Sequence, residues 1–303
     1  MGKSESKPAN DLTDEPWRKT KTLVWNEEYC KELKDEINKF EKVWKSGTAN
    51  CLLLGPTSVG KSAFINSVLS ISKGRLCEMA YTADSEWGSV TKEYFSFQGV
   101  DEMKCVNMFD TSGLIEGSVG FNVENIISLI DGHVKSGYTF NPASPIQISD
   151  ACYVSKPSEK DKIHCAAFIM NAQLQYDDLG EKYLNKIRTL QKALMEKDVP
   201  RVVILTKCDI LCKEVEKNTG CIYRSTKVKE AVERARDWFL IPANNVYPVV
   251  NYGGGHKIEL ELETSVPILL ALRHITYAAT DFLEKSKLKA NQAKSSNAEA
   301  LNS

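Results

Sequence analysis

Apolar positions recur along this chain at two alternating spacings, one suited to strands and the other to helices. Between residues 27 and 44, Cys30, Leu33, Ile37 and Phe40 fall at three- and four-residue intervals, on one face of a helix. The apolar run 50–54 reads as a strand. Helical spacing returns over 61–69 through Ala63, Phe64, Ile65, Val68 and Leu69. The same pattern predicts strands at 93–97, 104–109, 163–171, 201–206 and 246–251. It predicts helices at 123–133, 181–196, 226–238 and 265–284, with Pro200 and Pro242 marking helix ends. Such alternation argues for a three-layer α/β fold, a mainly parallel central sheet flanked by helices. The polar stretches 1–15 and 285–303 are expected to be unordered, because they offer little apolar surface to bury.

Length alone, 303 residues, suggests two domains at roughly 150 residues each. Charge is balanced, with 39 Lys and Arg against 40 Asp and Glu, which argues against bulk electrostatic binding of nucleic acid. No apolar run approaches the ~20 residues of a membrane-spanning helix, and the first thirty residues lack the apolar segment of a secretory signal. A cytoplasmic protein is expected. The nine cysteines include no CxxC pair, and Cys208, Cys212 and Cys221 with His256 fit no zinc module, so reduced thiols are the expectation.

Candidate chemistry starts at Gly55-Pro56-Thr57-Ser58-Val59-Gly60-Lys61-Ser62, a full match to G-x-x-x-x-G-K-[ST]. Phosphate oxygens need donors at close range. Glycines at both ends let successive N–H groups point inward, and a following helix adds its positive dipole end. Gly55, Ser58, Val59, Gly60, Lys61, Ser62 and Ala63 are therefore the expected phosphate contacts. Lys61 would reach the β- and γ-phosphates, and the Ser62 hydroxyl would ligate Mg²⁺. An apolar strand leads into the loop and an apolar-periodic helix leads out, which is the context the motif requires.

Two further motifs follow in order. Asp110-Thr111-Ser112-Gly113 ends the 104–109 strand; Asp110 there can hold Mg²⁺ and Gly113 can offer its N–H to a γ-phosphate. Thr206-Lys207-Cys208-Asp209 caps the 201–206 strand. The Asp209 carboxylate can accept from both N1–H and the exocyclic amine of guanine, a donor pair adenine does not present there. Three motifs at the C-terminal ends of strands match ligand placement in open α/β sheets and describe a site for GTP or GDP with Mg²⁺. They span 55–209 in one sheet, so a single domain over 16–284 replaces the two suggested by length. A threonine contacting Mg²⁺ and the γ-phosphate should lie between the first two motifs; Thr91 is the choice and Thr82 the alternative, and a plain surface threonine reads equally well. Asn251, opening a glycine-rich turn, either closes over the guanine or has no ligand role. Position 114 is Leu, where small GTPases of the Ras type carry the water-orienting Gln. Slow hydrolysis is expected unless a partner or a dimer completes the site; Lys61 and Thr91 are the candidate transition-state contacts.

Together these residues resemble the interferon-induced protein 44 family of GTP-binding proteins. The likeness includes Pro16-Trp17-Arg18, the loop region LLLGPTSVGKSAFINSV, GHVKSGYTFNP at 132–142, DKIHCAAFIMNA at 161–172 and SVPILLALRHITYAATDFLE at 265–284. It implies a P-loop GTPase core, a cytoplasmic location, and an interferon-responsive, antiviral association. The phosphate loop carries over as Gly55, Gly60, Lys61 and Ser62, the switch as Asp110 and Gly113, and base recognition as Thr206, Lys207 and Asp209. Larger members carry an N-terminal TLD-type domain, for which this chain has no room. Residues 116–162 read as an ordered insertion, expected to bind a protein effector or a second copy. Finally, Met1-Gly2-Lys3-Ser4-Glu5-Ser6 fits the N-myristoylation pattern, and membrane contact is expected only if Gly2 is acylated.

Overall fold

The computed structural model describes residues 11–22, 24–44, 47–80, 94–99, 103–111, 122–141, 144–175, 178, 180–253 and 258–301. Gly2, Thr82, Thr91, Gly113 and Leu114 lie outside the described residues, as do Gly254 and Gly255.

In chain order the elements are α1 (Glu27–Val43), β1 (Ala49–Leu54), α2 (Lys61–Lys73), β2 (Phe95–Gln98), β3 (Val106–Asp110), α3 (Val123–Ile130), β4 (Cys165–Asn171) and α4 (Glu181–Glu196). They continue with β5 (Arg201–Thr206), the short helices α5 (Cys208–Leu211) and α6 (Lys213–Lys217), α7 (Thr226–Phe239), β6 (Val246–Pro248) and α8 (Leu262–Leu301). The strands form one sheet in the order β2-β3-β1-β4-β5-β6. Only β2 runs antiparallel to its neighbour. Strands β1, β4 and β5 are apolar along nearly their whole length, as expected where both sheet faces are covered. Helix α8 packs on α1, α2 and strands β1, β4 and β6, while α3 pairs with α4. The chain passes to one side of β1 for β2 and β3, then crosses to the other for β4. The sheet therefore has its topological switch point between β1 and β4, where open α/β sheets bind ligands.

Local chemistry explains the element ends. Asn26 caps α1 by accepting from Tyr29 N–H, and Ser225 caps α7 by accepting from Val228 N–H. Gly74, left-handed at φ 65°, ends α2 four residues beyond the expected stop. Strand β6 is three residues shorter than expected. Pro248 has no N–H to give; Val249 N–H still donates to the Leu205 carbonyl at 2.7 Å, and Asn251 then reaches the phosphate loop.

Two expectations about the tails change. Residues 11–15 are held against α7: Leu12 bridges Ser225, Thr13 N–H donates to the Arg224 carbonyl at 2.8 Å, and Lys227 pairs with Asp11 at 2.7 Å. At the other end, residues 285–301 continue α8 instead of being unordered. That stretch lacks Gly and Pro and is rich in Lys and Ala, so its intrinsic preference is helical although its surface is polar. Lys285 and Lys289 both pair with Asp198, and the Lys287 ammonium sits 3.6 Å from the Trp44 ring centroid. No helix among the described residues is long and apolar enough to cross a membrane.

Candidate nucleotide site

The phosphate loop joins β1 to α2 at the switch point. Gly55 is fixed by a close approach: a Cβ there would fall well inside contact distance of the Ile169 carbonyl oxygen on β4. Gly60 is fixed by conformation, since φ of 99° at the start of α2 is a backbone geometry that a side chain resists. Between them Val59 is buried beneath the loop, and Ser58 is exposed with φ of 60°. Lys61 is only 5% exposed and curls back over its own loop, donating to the Gly55 carbonyl at 2.9 Å and the Pro56 carbonyl at 2.8 Å. Its ammonium thus lies on the loop's inner rim. Ala63, half-buried, is anchored through its carbonyl, which accepts from Ser67 Oγ.

Strand β3 delivers Asp110 to the same place. The Ser62 hydroxyl donates to Asp110 Oδ2 at 3.2 Å, although the two residues are 48 apart in sequence. Asp110 is 5% exposed, and its second oxygen, Oδ1, is buried without a hydrogen-bond partner among the described residues. An orphaned carboxylate oxygen carries a desolvation cost, and a cation or its hydration water would relieve that. Next to it, the buried Thr111 hydroxyl donates to the Leu53 carbonyl at 2.7 Å and ties the end of β3 to β1. Two more buried oxygens at the loop lack partners among the described residues, Thr57 Oγ1 and Asn251 Oδ1. Glycine cradle, lysine, serine and aspartate therefore fit a phosphate group with Mg²⁺. Among the described residues no set of three His, Cys, Asp or Glu side chains gathers as a metal cluster. A magnesium ion here would depend on Ser62, Asp110, water and phosphate oxygens.

Strand β5 supplies the third part. Thr206 is fully buried, and its hydroxyl bonds to the Val59 carbonyl and, at 3.2 Å, to the Met170 carbonyl. The structure thus gives Thr206 the work of fastening the phosphate loop to β4 and β5, and leaves no exposed atom of it for a base. Lys207 follows in left-handed conformation, φ 58°, and turns the chain so that α5 carries Asp209. Asp209 is half-buried and has no hydrogen-bond partner among the described residues. Burial pushes the Cys208 thiol up, and the Asp209 charge adds to that shift. From beyond β6, Asn251 Nδ2 donates to the Gly60 carbonyl at 3.2 Å, and Tyr252 N–H donates to Ser67 Oγ at 2.8 Å. The strands thus bring Lys61, Ser62, Asp110, Thr206 and Asn251 to one crevice. Thr57 and Thr111 occupy unconstrained positions of their motifs, so the spacing did not mark them out.

A sheet of this order, with a phosphate loop after β1 and an aspartate at the end of β3, defines a P-loop GTPase-like protein. Sequence comparison then gives the kinship. The chain is 32% identical over 244 residues to Interferon-induced protein 44-like from Homo sapiens, covering 78% of this chain and 53% of that protein. To Interferon-induced protein 44 from Homo sapiens it is 31% identical over 238 residues, covering 77% and 52%. Over that span the chain is a relative of the interferon-induced protein 44 group, as the motif resemblance implied. It spans about half the length of these curated relatives. No family model matches the chain. Among solved structures, Toc33 from Arabidopsis thaliana in complex with GDP and Mg²⁺ is similar at 16% identity and a TM-score of 0.46, covering 84% of this chain and 93% of that one. So distant a likeness adds nothing to the fold, which strand order and loop define by themselves.

Proposed function

We propose that this chain is a cytoplasmic guanine-nucleotide-binding protein that binds GTP and GDP with Mg²⁺ and turns GTP over slowly. The names of its relatives support a place among interferon-induced proteins, and an antiviral role is proposed on the family resemblance alone. One observation carries the nucleotide reading: Ser62, Asp110 with its orphaned oxygen, and Lys61 meet at one glycine-built loop. Lys61 would exchange the Gly55 and Pro56 carbonyls for phosphate oxygens, opening the loop as nucleotide enters. Ser62 and Asp110 would hold the cation, which when bound neutralises phosphate charge. Asp209 would accept from the guanine edge while Thr206 and Asn251 keep the loop in register with β5. Thr91 and Gly113 remain the proposed γ-phosphate contacts.

Leu114 in the water-orienting position favours a second reading, a nucleotide-stabilised protein scaffold with negligible turnover. In either case residues 116–162 are the proposed surface for an effector or a second copy, and Gly2 the proposed acylation site. Titration of a fluorescent GTP analogue with and without Mg²⁺ tests the nucleotide site. Saturable binding that Lys61→Ala weakens by ~10- to 100-fold, the loss expected for a charge-assisted contact, is the expected result. Unchanged affinity in that variant would contradict it. Single-turnover hydrolysis over a protein concentration series separates the two readings. Fast turnover independent of concentration would overturn both.

A further inference from the structure

Thr57 is the one position in the phosphate loop whose side chain costs stability as it stands. Its Oγ1 is buried and has no hydrogen-bond partner among the described residues, while three other hydroxyls of the site are engaged: Ser62 with Asp110, Thr111 with Leu53 and Thr206 with Val59. A valine would fill the same β-branched shape without burying an unpaired polar atom. Its place in the loop says what such an atom is for. The Lys61 ammonium, the group that reaches the β- and γ-phosphates, lies 2.8 Å from the Pro56 carbonyl, and Thr57 is the next residue. Thr57 thus follows directly on a carbonyl that the Lys61 ammonium holds, whereas Ser58 beyond it is exposed.

From this we infer that Thr57 is a specificity-determining residue that reads the terminal phosphate and so separates nucleoside triphosphate from diphosphate. The inference rests on the proposed nucleotide site and deepens it. A hydroxyl both donates and accepts, so it can bond a γ-phosphate oxygen or a water held against it. The β-phosphate is met by backbone N–H groups and Lys61, which the inference leaves unchanged.

Two measurements on Thr57→Val and Thr57→Ser test this, each with wild type beside it. The first is affinity for GMPPNP and for GDP in Mg²⁺. Thr57→Val should lose ~5- to 50-fold for GMPPNP and less than about twofold for GDP, and Thr57→Ser should restore the wild-type ratio. The second is the melting temperature without nucleotide, which should be equal or higher in Thr57→Val because an unpaired buried hydroxyl has been removed. Equal loss for both nucleotides, no loss for either, or a lower melting temperature without nucleotide would overturn the inference and leave the site itself standing. Wild type that binds neither GMPPNP nor GDP would overturn the site and the inference together.

Discussion

For the threonines and the aspartate at the loop, hydrogen bonding separates side chains that hold the backbone from one left to face a ligand. Thr206 and Thr111 are spent on carbonyl oxygens, whereas Asp110 keeps an oxygen unpaired. Asp110→Asn should therefore weaken nucleotide binding in Mg²⁺ by ~10- to 100-fold and change it little in EDTA, as read by titration under both conditions. Thr206→Val should instead lower the melting temperature and affect GTP and GDP alike. The motif spacing marked Lys61, Ser62 and Asp110 directly, because each must be that residue type to do its chemistry. It could not mark the division of labour, since a buried threonine and a ligand-facing one look alike in sequence. Away from the loop, His164 is 2% exposed, accepts from the Asn50 N–H at 3.1 Å through Nδ1 and sits 2.9 Å from the Glu159 carbonyl through Nε2. Burial holds its pKa below the usual 6.5. The unfolded chain then takes up a proton that the folded one refuses, so stability falls as pH drops below about 6.5. His164→Gln can keep both bonds without titrating, and its melting temperature should depend less on pH across that window.

Among the elements, strands β1, β4 and β5 and helices α1 and α4 follow the apolar spacing almost residue for residue. Long apolar runs and regular helix faces are dictated locally. What the spacing missed is set by partners distant in sequence. The α8 extension was polar enough to read as unordered, yet Asp198 gathers Lys285 and Lys289, which hold its carboxyl down to about 2. Asp198→Ala should speed amide exchange across 285–301, and high salt should do the same to wild type. Residues 136–140 show a similar dependence. Tyr94 N–H donates to the Tyr138 carbonyl at 2.9 Å and Gly137 N–H to the Tyr94 carbonyl at 2.7 Å, so this part of the insertion pairs with the start of β2. Tyr94 also stacks on Phe109 of β3, with ring centroids 5.4 Å apart. Deleting 136–160 would uncover that aromatic cluster and destabilise the sheet edge, so a surface role for the insertion is better probed at exposed Ile148. Ile148→Glu should leave the melting temperature unchanged and weaken any self-association seen by sedimentation.

For the whole molecule, the sheet places three loop ends at one crevice, and the fold's use depends on what that crevice prefers. A cavity of about 250 Å³ lies at the opposite strand ends, between α8 and the starts of β4 and β5. The motif residues meet elsewhere, on a loop that Lys61 holds closed over its own carbonyls. Base preference is the point on which the functional proposal turns, because phosphate recognition alone would serve any nucleotide. The direct measurement is displacement of fluorescent GDP by unlabelled GTP and ATP in Mg²⁺, on wild type and Asp209→Asn. GTP should displace the label, ATP at hundredfold excess should not, and Asp209→Asn should erase most of that difference. Equal displacement of the label from wild type by ATP would contradict a guanine-nucleotide site.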